Sequence, residues 1–283
     1  MKKIISLLLV VTMLVGVCCL STGCGSDDEI IVQTNAYFAP FEYYVGDEIK
    51  GVDVDIMNKV GEKMEKNVTF KNVDFGVIID NVSAGEVCDV GAAGLTITDE
   101  RKEKVDFSIP YYTSVQYVIF SANSDIATKS GKDGDYIVWE ALKGKKIGTQ
   151  TDTTGWIYVN GEITGEDFDG LLKDSGAELK NFDNAQLAAD AIGGKKVDVV
   201  VIDELPAQYI TGKNKNLKCL PLYYAGATDA EDAPVEEQYA ICVTKGNDDL
   251  LKAINEVLEE MLKKGADGKT EIDKLVMKHM GLE

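Results

Sequence analysis

Histidine is almost absent from this sequence, because His279 is the single histidine in 283 residues. A histidine-based zinc site needs several imidazoles, and Ser-His-Asp catalysis needs one beside a nucleophile. His279 lies at helical spacing from Ile272, Leu275 and Val276, which predicts a position on a helix face or at the surface. We therefore expect no metal site, no catalytic triad and no cofactor.

Cysteine is also scarce, and three of the six cysteines lie within the first 24 residues. The others, Cys88, Cys219 and Cys242, are odd in number and far apart, which fits neither a disulfide framework nor a zinc ribbon. Their apolar neighbours favour buried, small hydrophobic side chains. A Cys219–Cys242 disulfide remains an alternative for a protein in an oxidising compartment.

Basic residues are outnumbered, since 29 Lys and Arg face 48 Asp and Glu for a net charge of −19. So acidic a surface repels phosphate backbones and anionic lipid, and it favours solubility outside the cell. We therefore expect no nucleic-acid partner. Net charge says nothing about a small ligand, which meets the local field of its site.

The amino terminus has the pattern of a secretory leader. Lys2 and Lys3 precede an apolar run at residues 4–20, which is shorter than the about 20 residues of a transmembrane helix. Residues 20–24, Leu-Ser-Thr-Gly-Cys, resemble a bacterial lipobox. We predict a signal peptide at 1–23, an acylated (palmitate-bearing) Cys24 and a tether at 24–29, which anchor an extracytoplasmic protein to the cell membrane. The alternative is an ordinary signal peptide with an incidental cysteine.

Beyond residue 30, short apolar segments alternate with amphipathic ones, which is typical of an α/β fold. One segment, 197–202, is almost entirely β-branched, as in a parallel strand covered on both faces. The predicted strands are 30–34, 68–73, 89–93, 116–120, 146–149, 179–182, 197–202 and 239–244, and the predicted helices are 53–66, 76–84, 184–192, 248–264 and 270–280.

Two segments rich in small and charged residues, 123–136 and 225–237, are predicted as surface insertions. Extended segments bracket the α/β block between them, which suggests a chain that passes to a second lobe and returns. We predict lobe 1 from residues 30–113 and 238–283, and lobe 2 from residues 114–237. Two hinge crossings then place a ligand site in the cleft.

Three motif clusters lie in order along the chain. The first, residues 36–56, opens with Ala-Tyr-Phe-Ala-Pro-Phe-Glu-Tyr. The second, residues 92–112, opens with Ala-Ala-Gly-Leu-Thr-Ile-Thr-Asp-Glu-Arg. The third joins residues 148–155 to Val-Ile-Asp-Glu at 201–204. Together they resemble the polar amino-acid-binding proteins of ABC importers, bacterial extracellular solute-binding family 3, which have the two-lobed type II periplasmic binding fold.

The second cluster carries a candidate carboxylate clamp. Arg101 offers a planar fork that can hold a carboxylate with two hydrogen bonds. Gly94 and Thr96 lie on a strand-to-helix connection, where open α/β sheets bind ligands. The resemblance implies that these three residues contact the ligand and that Arg101 binds its carboxylate. The alternative is that Arg101 is a solvated partner of Glu100 or Glu103.

The third cluster supplies groups from the other lobe. Thr153 and Thr154 open a predicted helix, whose N-terminus can bind the same carboxylate or can simply be capped. The resemblance implies that Asp203, at the end of a buried strand, accepts from the α-ammonium; the alternative is a cap for the helix starting at Glu204. Asp152 stands where the family usually has glycine, so this chain departs from the family pattern in this loop.

The resemblance also implies contacts to the ligand's side chain. Phe38 and Phe75 correspond to an aromatic pair that sandwiches it, although such rings are otherwise core residues. Asn35 and Gln150 correspond to residues near its distal end. An amide at Asn35, where relatives that bind basic side chains often have an acid, favours a neutral polar or small ligand.

The predicted function is capture of an amino acid by lobe closure and its delivery to an ABC permease, by a monomer. A ligand-sensing receptor component is one alternative. A dehydratase-like enzyme is another, but it needs a general acid–base pair that the sequence does not offer. The predicted ligand-binding residues are Asn35, Phe38, Phe75, Gly94, Thr96, Arg101, Gln150, Thr153, Thr154 and Asp203.

Overall fold

The computed structural model describes residues 28–166, 168–228 and 231–282. The predicted signal peptide at 1–23, Cys24 and most of the tether at 24–29 lie outside these ranges. Within them, no helix combines the length and the apolar character needed to cross a membrane.

Strands and helices alternate through the described residues, so the predicted α/β class is confirmed. The strands are β1 (Glu29–Thr34), β2 (Tyr37–Phe38), β3 (Glu42–Val45), β4 (Glu48–Lys50), β5 (Asn67–Asn72), β6 (Val90–Gly91), β7 (Val105–Phe107), β8 (Tyr112–Ser121), β9 (Lys129–Gly131), β10 (Gly134–Val138), β11 (Lys146–Gln150), β12 (Glu178–Phe182), β13 (Val199–Asp203), β14 (Leu217–Thr228), β15 (Glu231–Ala233), β16 (Glu236–Tyr239) and β17 (Cys242–Thr244). The α-helices are α1 (Val52–Met64), α2 (Ile78–Ala84), α3 (Asp99–Lys104), α4 (Thr154–Thr164), α5 (Ala185–Gly193), α6 (Glu204–Lys213), α7 (Asp248–Met261) and α8 (Glu271–Met280).

One sheet is built from the two ends of the chain, in the order β5-β1-β6-β17-β7. β1 runs parallel to β5 and β6, whereas β17 runs antiparallel to β6 and β7. Parallel strands end at a common edge, so the residues that follow β1 and β6 lie near each other. Asn35 and Gly94 occupy these two connections.

A second sheet is built from the middle of the chain, in the order β12-β11-β13-β8-β14-β10-β9, with β15 beside β14 and β16 beside β8. β11 runs parallel to β12 and β13. β13 is fully buried, as its β-branched sequence predicts. The shared edge brings Gln150 at the end of β11 close to Asp203 at the end of β13.

The chain passes between the sheets twice, through β8 and β16, which pair antiparallel with Glu237 opposite Ser114. The predicted single strand at 239–244 is wrong. β16 ends at Tyr239 and β17 begins at Cys242, because the chain leaves one sheet and enters the other between them. The predicted insertion at 123–136 contains β9 and the start of β10, and the predicted insertion at 225–237 contains the end of β14, all of β15 and the start of β16.

His279 lies on a face of α8, which is one of its two predicted positions, and the alternative of a surface position is wrong. The residue is 8% exposed. Its Nε2 lies 3.0 Å from Asp55 Oδ2, and its Nδ1 lies 3.1 Å from the Tyr43 hydroxyl. Two polar partners on a helix and a strand packed against α8 explain why a lone polar residue is buried here.

The three cysteines beyond the leader are free thiols. Cys88 and Cys242 are buried as predicted, whereas Cys219 is only half-buried. The alternative of a Cys219–Cys242 disulfide is therefore not realised.

Candidate ligand-binding site

All ten residues predicted to bind ligand line one cavity between the two sheets, and Glu42 lines it with them. The space between these residues is about 300 Å³ when the adjoining open solvent is included. Contact with a ligand stays a prediction for each residue. Among the described residues, no group of three or more His, Cys, Asp or Glu side chains could hold a metal ion.

Arg101 is held at the start of α3 by its own helix cap. The Thr98 side chain accepts from the Arg101 backbone N–H at 3.1 Å. The guanidinium donates to the Thr96 carbonyl at 2.8 Å and to the Asp152 carbonyl at 3.1 Å, and it lies 5.4 Å from the centre of the Phe75 ring. With 9% of Arg101 exposed, the alternative of a solvated surface cation is wrong.

Asp203 ends β13 at the opposite side of the cavity. It is 4% exposed, and the Tyr239 hydroxyl donates to its Oδ1 at 2.6 Å. Burial, followed by the negative charge of Glu237, raises the pKa of Asp203 to about 8. Although Asp203 precedes α6, its side chain makes no capping bond, so the capping alternative is wrong.

The loop after β11 combines helix capping with contacts across the cleft. The Thr153 hydroxyl accepts from the Trp156 N–H at 3.4 Å and donates to the Gln150 carbonyl at 2.8 Å, so it caps α4 as predicted. Asp152 has a φ of 63°, in the region that favours glycine. Its carboxylate lies so close to Gly76 that a Cβ there would be 2.1 Å from Oδ2.

Glu237, which sequence reasoning missed, joins both sides of the cavity. It accepts from the Thr96 hydroxyl at 2.9 Å, from the Thr154 hydroxyl at 2.6 Å and from the Gln116 amide at 2.8 Å. Burial raises its pKa, and these three hydrogen bonds oppose the shift. The only sequence signal is the alternation in β16, which buries Glu237 and Tyr239 on one face.

Asp53 supports the loop that carries Gly94. Asp53 stands at the start of the predicted helix 53–66, a position typical of caps, but it does not cap α1, because Gly51 precedes the helix and Asp53 is 1% exposed within it. Its carboxylate instead accepts from the Gly94 N–H at 2.9 Å and the Tyr111 hydroxyl at 2.6 Å. Gly94 has a φ of +55°, and a Cβ there would lie 2.9 Å from Phe38, so the position requires glycine.

The amides of Asn35 and Gln150 bind each other across the cleft. Gln150 Nε2 donates to Asn35 Oδ1 at 3.0 Å, and Asn35 Nδ2 donates to the Val73 carbonyl at 2.7 Å. Gln150 Oε1 has no hydrogen-bond partner among the described residues. Both ends of the Asn35 amide are thus engaged within the protein, whereas Gln150 presents a free acceptor.

Glu42, at the start of β3, was also missed. It is fully buried, and neither carboxylate oxygen has a partner in the part of the chain that the structure describes. Burial raises the pKa of Glu42 well above its ordinary value, and the negative charges of Asp53 and Asp203 add to the shift. The one sequence signal is that an acidic residue directly follows the apolar run Ala-Pro-Phe at 39–41.

Several known proteins are similar to this chain in sequence or in fold. A probable histidine-binding protein of Neisseria gonorrhoeae is 27% identical, covering 89% of this chain and 83% of its own. An arginine-binding extracellular protein of Bacillus subtilis is 27% identical, covering 91% of both chains. An ancestral arginine-binding protein, solved bound to glutamine, is 32% identical with a TM-score of 0.71, covering 91% of this chain and 100% of its own.

These likenesses confirm the two-lobed type II periplasmic binding fold, and the relatives are binding proteins rather than enzymes. Residues 30–281 match a single family over almost the whole chain. The chain belongs to the bacterial extracellular solute-binding proteins, family 3.

Proposed function

We propose that this protein binds an amino acid in the cavity by its α-carboxylate and α-ammonium groups. Arg101, with Thr153 and Thr154 at the start of α4, holds the carboxylate, and Asp203 accepts from the ammonium. The observation that carries the proposal is that Arg101 and Asp203, both buried, line one small cavity from two sheets. A zwitterion supplies each with the opposite charge, which offsets the cost of burying them.

The relatives support this assignment through what their ligands share. Histidine, arginine and glutamine, named for the three similar proteins, differ in their side chains but have the same α-groups. If charged residues bind the α-groups and the remaining cavity wall contacts the side chain, related proteins can bind different amino acids with the same α-group partners.

Closure and delivery complete the proposal. The lobes at residues 30–113 with 238–283, and at 114–237, close on the ligand, and the closed form docks on an ABC permease. Acylation of Cys24 keeps the monomer at the outer face of the membrane, supported by the leader sequence. The same ligand site would serve a sensing receptor, but no observation favours that role over transport.

A thermal-shift panel of the twenty L-amino acids, on the protein lacking residues 1–23, tests the proposal. A ligand that binds only the folded state raises the melting temperature; an excess of 100 times Kd stabilises by about 2.7 kcal/mol. Arg101→Ala should abolish the shift. Lys102→Ala is the matched control, because Lys102 lies next to Arg101 on α3 but its side chain is 56% exposed.

Circular dichroism of Arg101→Ala should match that of the parent protein, which separates loss of binding from loss of fold. The proposal fails if no amino acid raises the melting temperature of the parent protein, or if folded Arg101→Ala responds as strongly as the parent.

A further inference from the structure

The cavity wall has hydrogen-bond acceptors that the protein leaves unused. Both carboxylate oxygens of Glu42 and the Oε1 of Gln150 lack partners among the described residues, and both residues line the cavity. Glu42 is fully buried and Gln150 is 5% exposed. Buried polar atoms are nearly always paired in native proteins, so three unused acceptors in one small cavity point to a ligand with donors.

The side-chain hydrogen-bond donors named below, in the same cavity wall, already have acceptors within the protein. The hydroxyls of Thr96 and Thr154 donate to Glu237, Gln150 Nε2 donates to Asn35, and Asn35 Nδ2 donates to the Val73 carbonyl. Apart from Arg101 and the backbone N–H groups at the start of α4, the wall therefore presents the oxygens of Gln150, Glu42 and Asp203, and a cationic ligand favours the ionised, accepting form of the two carboxyl groups. This pattern suits a side chain that donates and does not accept.

The charges of the cavity wall also favour a ligand side chain that donates hydrogen bonds. Arg101 is the cation among the lining residues, and Glu42 and Asp203 are the carboxylates. In the proposed function the ligand's α-carboxylate pairs with Arg101 and its α-ammonium with Asp203. Glu42 then has no cationic partner, and a ligand with a neutral side chain would not supply one.

We propose that the ligand is an amino acid with a cationic side chain, whose guanidinium or ammonium group donates to Glu42 and to Gln150 Oε1. This inference rests on the proposed function and adds the class of ligand. It replaces the sequence-based expectation of a neutral or small ligand. That expectation relied on the Asn35 amide, which is engaged by Gln150 and Val73.

The energetics favour a cation over a neutral donor. An isolated buried carboxylate is costly, and burial accordingly raises the pKa of Glu42. A cationic donor removes that penalty, because it supplies both a counter-charge and hydrogen bonds. A guanidinium can fill both Glu42 oxygens with two parallel bonds, whereas an ammonium meets them as a point charge.

Calorimetric titration of the protein lacking residues 1–23 with arginine, lysine and citrulline tests the proposal. Citrulline has nearly the shape of arginine but a neutral urea in place of the guanidinium. We expect arginine or lysine to bind at least about 100-fold more tightly than citrulline, since breaking a buried charged pair leaves one charge uncompensated.

Glu42→Gln should weaken binding of the preferred basic ligand by about 100-fold, yet leave citrulline within about threefold of its affinity for the parent protein. Glu48→Gln is the matched control, since Glu48 follows Glu42 in the same three-stranded sheet and its side chain is 74% exposed. If Glu42→Gln does not fold, the selectivity of the parent protein between arginine and citrulline decides by itself.

The outcomes separate the two proposals. If citrulline, glutamine or a small amino acid binds as tightly as the basic ones, the cationic class is wrong while amino-acid binding stands. The same holds if folded Glu42→Gln keeps the parent's affinity for arginine and lysine. If no amino acid binds, both proposals fall.

Discussion

Glu237 offers the sharpest test of how the two sides of the cavity are joined. Glu237→Gln keeps the size of the side chain but replaces one acceptor oxygen by a donor. Three donors converge on the native carboxylate: the Thr96 and Thr154 hydroxyls on Oε2 and the Gln116 amide on Oε1. The amide of a glutamine cannot accept from all three, so at least one bond is lost or reversed.

The loss of ligand affinity that we expect for Glu237→Gln depends on which of the three hydrogen bonds forms only when the two lobes close. Glu237 and Gln116 lie on the paired crossing strands β16 and β8, whereas Thr154 opens α4. We therefore expect the Thr154 bond, at 2.6 Å, to form when the cleft closes. A hydrogen bond to a charged group contributes about 1.5–3 kcal/mol, so its loss should raise Kd by about 10- to 150-fold.

Calorimetric titration with the best ligand of the amino-acid panel measures this change. Glu236→Gln is the matched control, because Glu236 is the preceding residue of β16 and is exposed; it should leave Kd unchanged. The reasoning would be refuted if Glu237→Gln folded and bound the ligand within about twofold of the parent protein.

Two further variants test closure and charge. Gly76→Ala should weaken binding by less than about tenfold, because its Cβ would lie 2.1 Å from Asp152 Oδ2, the end of a flexible side chain that can move aside. Gly193→Ala, in open space, should not weaken binding, and Asp152→Gly should restore the affinity of Gly76→Ala. Burial raises the pKa of Asp203 to about 8 from 3.8, so the folded, ligand-free protein holds a proton that the unfolded chain releases. The stability that this proton contributes is complete below about pH 4, declines as the pH rises and is absent above about pH 8. Asp203→Asn should therefore reduce the fall of the unfolding free energy with pH by up to about 1.4 kcal/mol per pH unit, as measured by urea unfolding. An unchanged slope would contradict this assignment.

The sequence predicts those parts of the site that follow from local order along the chain. Arg101 and Asp203 each stand at a recognisable boundary, one at the start of a short helix and the other at the end of a β-branched strand. Parallel strands carry such boundaries to one edge of a sheet. The resemblance of the motif clusters to family 3, and not this local order alone, predicts their roles as partners of the α-carboxylate and the α-ammonium. The structure brings Arg101 and Asp203 to one cavity.

The remaining parts depend on contacts between distant segments, which local order does not encode. The Asn35 amide, where relatives that bind basic side chains often have an acid, predicts a neutral ligand, yet Gln150, 115 residues away, engages that amide. Glu237 stands in an acidic stretch that resembles a solvated surface segment, and Asp53 stands at a position typical of helix caps. In each case the side chain's partner comes from another part of the chain, and only the fold identifies it.

The buried carboxylates around the cavity differ in how far the protein satisfies them, and this difference separates support from recognition. Glu237 accepts three side-chain hydrogen bonds, Asp53 accepts one from Tyr111 and one from the Gly94 backbone, and Asp203 accepts one from Tyr239. Glu42 accepts none from the described residues. A buried carboxylate is stable only when it is paired. The protein itself supplies hydrogen-bond donors to Glu237 and Asp53. Asp203 and Glu42 have capacity left, and a ligand with two cationic groups completes both.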